Sequence, residues 1–423
     1  MNSFIFKKYQ FDNATNIASF DYEFSDGRQF HEQVIFVADD HYDEKVLDRA
    51  LFLAFVLVGT SYYKTFPTSK VEFSAHTLDV GQADFFNSVY QEGLSQFAFE
   101  NDLTRDQLAY FSVLSDVSPE PLTYEGEGVV ALQSGGKDSL LVATLLREAS
   151  IDFTPWYVTS SEEHPNVLDS FESPVLVAKR LLDHQALLKA KSDGGLNGHV
   201  PVTYILQSLA LIQTVLLGKN TILVSIAHEG EEPHEWIGDL PVNHQWSKTW
   251  DAEQAFMSYV ETYVATGFQI GSPLRQHSEL KVAELFVKHA WNEYGHTFSS
   301  CNVINYQQGH VNTTLKWCGD CPKCANSYLL FAPFLEVVEL QSLFNDQDLF
   351  VKPSLYDTFK GLLGIDGFMK PFECVGEIEE LRLAYHMAQK RGGYALLPFA
   401  VPESSFDYEQ TYPAQSWATK MLQ

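Results

Sequence analysis

The chain reads Val129-Val130-Ala131-Leu132-Gln133-Ser134-Gly135-Gly136-Lys137-Asp138-Ser139-Leu140 at the point that decides its fold. A short apolar run typical of a buried strand leads into a pair of glycines, and a helical pattern begins directly after them. Backbone N–H groups in such a turn converge on one position, which phosphate oxygens can occupy. The lysine adds a positive charge there, and the serines add hydrogen-bond donors. We therefore predict a phosphate-binding loop made of Ser134, Gly135, Gly136, Lys137, Asp138 and Ser139.

The spacing within this loop separates it from other nucleotide-binding loops. A Walker loop places four residues between its first glycine and a Gly-Lys pair, and the present loop does not. It resembles the PP-loop of the ATP pyrophosphatase superfamily, whose signature Ser-Gly-Gly-x-Asp-Ser follows the first strand of the domain. This resemblance implies cleavage of ATP to AMP and pyrophosphate with Mg²⁺, and Asp138 is a candidate to cap the helix or to help hold the magnesium ion. The loop leaves the activated substrate open.

Strand and helix patterns alternate downstream of the loop. Apolar runs at Phe153 to Thr159 and Thr221 to Ile226 predict buried strands, and Val202 to Leu217 predicts a helix between them. Such alternation predicts an α/β fold with a doubly wound, mostly parallel sheet, whose ligands bind at the carboxyl ends of the strands. We assign residues 125–300 to this part, an adenine nucleotide alpha hydrolase-like PP-loop domain.

The regions on either side differ in pattern. Residues Phe4 to about Asp39 alternate apolar and polar side chains with a turn at Ser25-Asp26-Gly27, which predicts a small antiparallel sheet. We therefore expect an N-terminal α+β domain over residues 1–124. Residues 301–423 are predicted to form a helical, zinc-knotted region with a cysteine cluster, followed by an irregular tail from Gly392.

A cluster of cysteines marks the third region. Cys318, Cys321 and Cys324 lie at two-residue gaps, and Cys301 lies seventeen positions before the first of them. Four thiolates suit tetrahedral Zn²⁺, so we predict a structural zinc site that fastens this region to the sheet. Free buried cysteines and an iron–sulfur cluster are the alternatives. The arrangement also resembles the four-cysteine zinc site of the 7-cyano-7-deazaguanine synthases, which are PP-loop enzymes too.

Composition limits the partners of the protein. The chain has 28 basic and 55 acidic side chains and a formal net charge of −27. Because nucleic-acid binding depends on lysines and arginines that neutralise phosphates, we expect no nucleic-acid partner. The longest apolar run, Leu51 to Gly59, is under half of the roughly 20 residues that a membrane-spanning helix needs. No signal-peptide pattern opens the chain, so we expect a cytoplasmic protein with no membrane partner.

Blocks of sequence over most of the chain resemble the UDP-N-acetyl-α-D-muramoyl-L-alanyl-L-glutamate epimerases of bacterial cell-wall synthesis. The blocks are Ser134 to Leu140, Leu196 to Thr203, Val242 to Lys248, Ser300 to Asn302, Trp317 to Cys324 and Lys370 to Glu377. Val58 to Lys64 in the N-terminal region is similar as well. The acidic run Ala227 to Asp239 departs from the family pattern.

The resemblance implies an ATP-dependent epimerase of peptidoglycan precursor synthesis that acts on a small molecule, a UDP-muramoyl dipeptide. ATP would adenylylate the carboxylate of the terminal L-glutamate, the α-proton would be exchanged, and hydrolysis would release the D-glutamate product. A mixed anhydride delocalises the charge that forms at the neighbouring carbon, which a free carboxylate resists. The alternatives are another PP-loop amide- or nitrile-forming ligase, such as a deazaguanine synthase-like enzyme, and a zinc-stabilised module that no longer cleaves ATP.

Inversion of a carbon requires removal of a proton from one face and its return on the other. His199, His244 and Cys374 are the candidate acids and bases. Cys374 is flanked by Glu373 and Glu377, and we expect these carboxylates to disfavour its thiolate. Four further residues are predicted to bind the substrate, with the two cations placed against its carboxylates or diphosphate. These are Asn197, Asn243, Lys248 and Arg275. The oligomeric state is not predicted.

Overall fold

The computed structural model describes residues 2–39, 41–306 and 312–422. Within these residues, nine strands form one sheet in the order β11-β8-β5-β6-β7-β3-β2-β1-β4, and β9 pairs with β10 in a separate hairpin. The strands are β1 (Phe4–Asp12), β2 (Ile17–Phe24), β3 (Gln29–Ile35), β4 (Val71–Phe73), β5 (Val129–Leu132), β6 (Thr154–Thr159), β7 (Leu176–Leu181), β8 (Thr221–Leu223), β9 (Glu235–Ile237), β10 (Leu240–Val242) and β11 (Gln269–Gly271).

Helices connect and cover these strands. They are α1 (Glu44–Tyr63), α2 (Val80–Gln91), α3 (Ser95–Glu100), α4 (Lys137–Glu148), α5 (His184–Ser192), α6 (Val202–Leu216), α7 (Trp250–Tyr259), α8 (Glu279–His289), α9 (Trp291–Tyr294), α10 (Asn302–Asn305), α11 (Pro322–Phe331), α12 (Val337–Ser342), α13 (Tyr356–Leu362), α14 (Ile378–Arg391) and α15 (Ser416–Met421). α7 ends at Tyr259, where a π-helical turn over Val260–Val264 follows it. The tail from Gly392 has no regular element before α15, as predicted.

The sheet has a parallel part and an antiparallel part. β11, β8, β5, β6 and β7 pair in parallel, which confirms a mixed α/β fold with a large, mostly parallel sheet. β1, β2 and β3 are antiparallel as predicted, but they continue the same sheet through the pairing of β3 with β7 instead of forming a separate one. The division of the chain at residues 124 and 300 stays a prediction, and the third range includes residues 307–311, which lie outside the described residues.

Apolar side chains on alternate positions of β5 point to opposite faces of the sheet. Val130 packs in a core with α1 and α6, whereas Val129 and Ala131 pack in a second core with α4, α8 and α11. Helices therefore cover both faces of the parallel part, as the alternating sequence pattern predicts. The loop after β5 emerges at the carboxyl edge between these two helical layers.

The helix α1 is long and apolar enough to cross a membrane by length and composition, with a hydropathy of 1.4. In the fold, 89% of that apolar window is buried, against β1, β2 and α6. Packing inside the protein thus accounts for its composition.

Candidate active site

The predicted phosphate loop joins β5 to α4. Gly135 has a positive φ of +78°, and a Cβ there would lie 2.6 Å from Leu315 Cδ1, so both backbone conformation and space require glycine. Gly136 is the N-cap of α4, and no described side chain caps this helix end. The N–H groups of the first turn, together with the helix dipole, are therefore left for an anion.

Lys137 supplies the positive charge of the loop. Its side chain is buried, and its Nζ lies 2.7 Å from Asp138 Oδ1 and 3.4 Å from Glu279 Oε1. Burial alone would lower the pKa of Lys137, but the two carboxylates outweigh burial and raise it above the ordinary value. The lysine is accordingly charged at neutral pH. The buried Oε2 of Glu279 has no hydrogen-bond partner among the described residues.

The segment around Cys301 forms one wall of the loop. Ser299 N donates to Gly135 O at 3.3 Å, and Tyr306 Oη donates to Ser134 O at 3.1 Å. Ser299 also accepts a hydrogen bond from Cys301 N. The cysteine-bearing segment therefore touches the phosphate loop directly.

The four predicted cysteines are brought together by the fold. All four sulfur atoms lie within 4.8 Å of one another, with Cys301–Cys321 at 3.7 Å, Cys318–Cys324 at 3.6 Å and Cys321–Cys324 at 3.5 Å. A tetrahedron with Zn–S bonds of about 2.3 Å has edges of roughly 3.8 Å, so this spacing fits zinc, whereas a disulfide needs about 2.05 Å. The N–H groups of Gly319 and Asp320 also point at sulfur atoms of the cluster. The cluster could bind a metal ion.

His199, His244 and Cys374 lie together, although they are far apart in sequence. The rings of His199 and His244 are 4.5 Å apart between centroids, and Cys374 Sγ lies 3.7 Å from His244 Nε2. Gln96 presents its Oε1 to His244 Nδ1 at 2.7 Å, while its amide nitrogen donates to Glu100. Nδ1 therefore carries the hydrogen, and Nε2 is the acceptor that faces the thiol.

Burial keeps the histidines of this cluster neutral. It lowers the pKa of His199 to about 3, with help from His244 and Lys64, and lowers the pKa of His244 to about 4. A third histidine, His234, has its ring centroid 6.4 Å from that of His244, and burial and Lys370 lower its pKa to about 3. Each neutral imidazole keeps one ring nitrogen that can accept a hydrogen bond.

The expectation that carboxylates disfavour the Cys374 thiolate is wrong. Burial raises the pKa of this thiol, but the charges of Lys248 and Lys323 outweigh burial and lower it below the ordinary value of 9.0. Of the neighbours in sequence, Glu373 accepts a hydrogen bond from Asn302 Nδ2 at 3.0 Å. The lysines that determine the charge of the thiol come from other parts of the chain.

Lys248 connects the phosphate loop to the cysteine. Its Nζ lies 3.0 Å from Glu229 Oε2, and both Glu229 and Cys374 raise the pKa of Lys248 against the effect of burial. Glu229 in turn interacts with the charge of Lys137. A series of interacting side chains therefore links the phosphate loop to the thiol: Lys137, Glu229, Lys248 and Cys374.

The other predicted substrate-binding residues make internal contacts. Arg275 is fully buried and donates to Glu253 Oε2 at 2.8 Å and to the carbonyl oxygens of Ala227 and Lys248 at 2.8 and 2.7 Å. Through these bonds Arg275 positions the loop that carries Lys248. Its assignment to the substrate stays a prediction.

The two asparagines lie in different surroundings. The amide of Asn243 donates to Gly230 O at 2.6 Å and accepts from Gln245 N at 2.8 Å, so this side chain shapes the turn that holds His244. Asn197 is exposed beside His199, and its carbonyl oxygen accepts from Asn101 at 3.2 Å. Substrate binding by either stays a prediction.

Sequence reasoning missed the acidic partners of the site. The acidic run after β8 supplies Glu229, which pairs with Lys248, and Glu232, which pairs with Lys370 at 2.9 Å. Glu279 at the start of α8 reaches Lys137. The cluster of glutamates in a loop after a strand could have indicated a functional role. Their lysine partners could not be identified, because they are remote in sequence.

The fold and the site define an α/β protein with a predicted phosphate loop, a thiol–imidazole pair and a four-cysteine cluster. The family described as the MurL N-terminal domain matches residues 1–272, and that described as the MurL C-terminal domain matches residues 297–402. The chain therefore belongs to the MurL family.

Curated relatives agree with this membership along almost the whole chain. A protein of Salinispora tropica is 33% identical over 421 residues, which cover 96% of this chain and 90% of the relative. A protein of Xanthomonas oryzae pv. oryzae is 31% identical over 397 residues, 92% of this chain and 86% of the relative. Both relatives are named UDP-N-acetyl-alpha-D-muramoyl-L-alanyl-L-glutamate epimerase.

Proposed function

We propose that this chain is an ATP-dependent epimerase that converts the terminal L-glutamate of UDP-N-acetylmuramoyl-L-Ala-L-Glu to D-glutamate through an acyl-adenylate. The substrate follows from the names of the relatives. The observation that carries the mechanism is the continuity of the site: Lys248 lies between Glu229, beside the phosphate loop, and Cys374. Inversion of the α-carbon next to an activated carboxylate requires an acid–base group close to the ATP site.

The loop is the PP-loop of this enzyme. Lys137 and the free N–H groups of α4 bind the phosphates of ATP, and their charges stabilise the pyrophosphate that leaves. Mg²⁺ is usually held by one or two carboxylates and by phosphate oxygens, and the unpaired Oε2 of Glu279 together with Asp138 fits this role. Magnesium would supply further positive charge against the phosphates.

The proton is moved by Cys374 and the histidines. Lys248 stabilises the thiolate of Cys374, whose Sγ lies 3.7 Å from His244 Nε2, and this thiolate removes the α-proton on one face. His199, whose ring centroid lies 4.5 Å from that of His244, serves the opposite face. All three side chains are partly exposed, so a substrate can reach them.

The cysteine cluster holds structural zinc in this proposal. Cys301, Cys318, Cys321 and Cys324 would hold the ion, which would tie the start of α11 to the segment of Cys301 beside the phosphate loop. The enzyme is cytoplasmic, because UDP-muramoyl precursors and ATP are cytoplasmic substrates, and its partners are small molecules.

The test is incubation of the purified chain with the UDP-muramoyl dipeptide, ATP and Mg²⁺, with chiral analysis of glutamate and quantitation of AMP. We expect D-glutamate and one AMP for each inversion. Lys137→Ala should lower both about 100- to 1,000-fold, since it removes the main cation at the phosphates. Lys189→Ala, which changes an exposed lysine paired with Asp193, is the matched control and should retain activity. AMP without D-glutamate would contradict the proposal.

A further inference from the structure

Lys323 is a cation near the site and has no role in the proposed mechanism. It is the second residue of α11, between Cys321 and Cys324 of the cysteine cluster. Its side chain is half-buried, and among the described residues no carboxylate lies within ion-pair distance of its ammonium group. A half-buried cation without an anionic partner is costly unless a ligand supplies one.

The position of Lys323 on α11 indicates which part of the protein its side chain faces. Asn326 lies three residues further on, on the same face of α11, and its Oδ1 accepts a hydrogen bond from Gly376 N at 2.9 Å. This face of the helix is therefore turned toward the loop of Cys374. In agreement, burial raises the pKa of Cys374, and the charges of Lys248 and then Lys323 lower it. Burial lowers the pKa of His244, and the charge of Lys323 lowers it further.

The other cations around the cluster already have partners. Lys248 pairs with Glu229 at 3.0 Å, Lys370 pairs with Glu232 at 2.9 Å, and Lys64 donates to Gly198 O at 2.7 Å. These partners are parts of the protein itself. In the described residues around Cys374, Lys323 is thus the cation best placed to meet an anion of the substrate.

The substrate brings such an anion to this position. The terminal glutamate has two carboxylates, and adenylylation neutralises only the one next to the reacting carbon. The other keeps its charge a few bonds away, where it opposes the negative charge that develops when the α-proton leaves. A fixed cation beside Cys374 would relieve this repulsion, whereas the phosphates already have Lys137 and the start of α4.

We propose that Lys323 binds the side-chain carboxylate of the terminal glutamate and makes the enzyme specific for an acidic residue at that position. The inference rests on the proposed function. The cysteine cluster would then also help to position Lys323, because Cys321 and Cys324 lie on either side of it in the chain.

The test compares the binding of two UDP-muramoyl dipeptides, ending in L-Glu and in L-Gln, by calorimetric titration of the zinc-loaded chain. Wild type should prefer L-Glu, and Lys323→Met should weaken L-Glu binding about 10- to 100-fold while changing L-Gln binding less than about threefold. Lys323→Arg keeps the charge and should retain most of the preference. Lys352→Met is the control, because Lys352 contacts Gly319 and Asp320 of the cysteine cluster but not the site of Cys374.

Three results would overturn the inference. If Lys323→Met weakened the binding of both dipeptides equally, Lys323 would not recognise the side-chain carboxylate. If Lys352→Met also lost the preference for L-Glu, the effect would come from disturbing the cysteine cluster. A raised KM for ATP in Lys323→Met would assign the lysine to the phosphates. These outcomes count against the inference only when the wild-type chain forms D-glutamate. A wild-type chain that forms no D-glutamate would instead contradict the proposed function.

Discussion

Cys374 and His244 form the part of the site where the charge of one atom depends on residues from several elements. Gln96 fixes the tautomer of His244 from α3, Lys248 acts from the loop before α7, and Lys323 acts from α11. The backbone of Val375 is held by Gln245, and that of Gly376 by Asn326. This framework presents the thiol to the imidazole, and in the described part of the chain neither group is hydrogen-bonded to a carboxylate.

If Cys374 and His199 serve opposite faces of the α-carbon, each can be removed separately. Cys374→Ser and His199→Gln should each lower inversion about 100- to 10,000-fold, the usual contribution of an acid or base. In D₂O each variant should still exchange the α-hydrogen of one diastereomer only, and the two variants should differ in which one. His289→Gln, a change outside the cluster, is the control. Exchange of both diastereomers by either variant, measured by mass spectrometry, would contradict the assignment.

The charge of Lys248 should be visible in the pH profile. If the base is the thiolate, as proposed, kcat/KM should rise with pH through the pKa of Cys374, which lies below 9.0 in the wild type. Lys248→Met removes a positive charge near the sulfur, raises that pKa and moves the acidic limb to higher pH. Lys248→Arg should leave the limb in place. A limb that stays fixed or moves to lower pH in Lys248→Met would argue against a Cys374 thiolate as the base.

At the scale of elements, the cysteine cluster joins α11 to the segment that lines the phosphate loop. Ser299 and Leu315 both contact Gly135, so a shift of either residue would reach the loop. A metal ion bound by Cys301, Cys321 and Cys324 would restrict that movement.

Removal of the metal should therefore affect both stability and ATP cleavage. We expect one zinc per chain by elemental analysis, and Cys321→Ser should lose zinc, unfold at lower temperature and form less AMP. Cys374→Ser is the matched control, since it changes the fifth cysteine and should keep its zinc. A Cys321→Ser chain with full zinc content, or wild type without metal and with unchanged thermal unfolding, would rule out the structural role.

The junction of α8 and α14 contains a buried acid. Glu380 accepts a hydrogen bond from Leu280 N at 2.6 Å, and burial, followed by the charge of Glu279, raises the pKa of Glu380 to about 8. The folded state thus holds a proton that the unfolded state releases above about pH 4.5. This contribution to stability is full below that pH and is lost as pH rises to about 8.

Glu380→Gln keeps the acceptor but cannot ionise. Its unfolding free energy relative to wild type should rise between pH 5 and pH 8, by at most about 1.4 kcal/mol per pH unit, and then level off. Chemical denaturation at a series of pH values measures this difference. Glu379→Gln, at the exposed neighbouring position, should show no such trend. A difference that is constant with pH would mean that Glu380 is ionised in the folded protein.

At the scale of the whole molecule, the sequence revealed local features and missed those that depend on tertiary contacts. The glycine turn between β5 and α4 and the spacing of Cys318, Cys321 and Cys324 are properties of short segments, so they could be read directly. Cys374 shows the limit: its sequence neighbours are acidic, but its spatial neighbours are lysines. Likewise, β3 pairs with β7 across more than a hundred residues, a contact that no local pattern encodes.

The central claim is that ATP cleaved at this loop activates the same glutamate that is inverted. The most direct measurement uses a dipeptide with ¹⁸O in the α-carboxylate of its terminal L-glutamate and analyses AMP by mass spectrometry. If that carboxylate attacks ATP and water later attacks the acyl carbon, AMP should carry one labelled oxygen for each D-glutamate formed. Unlabelled AMP alongside D-glutamate, or D-glutamate formed without AMP, would contradict the account.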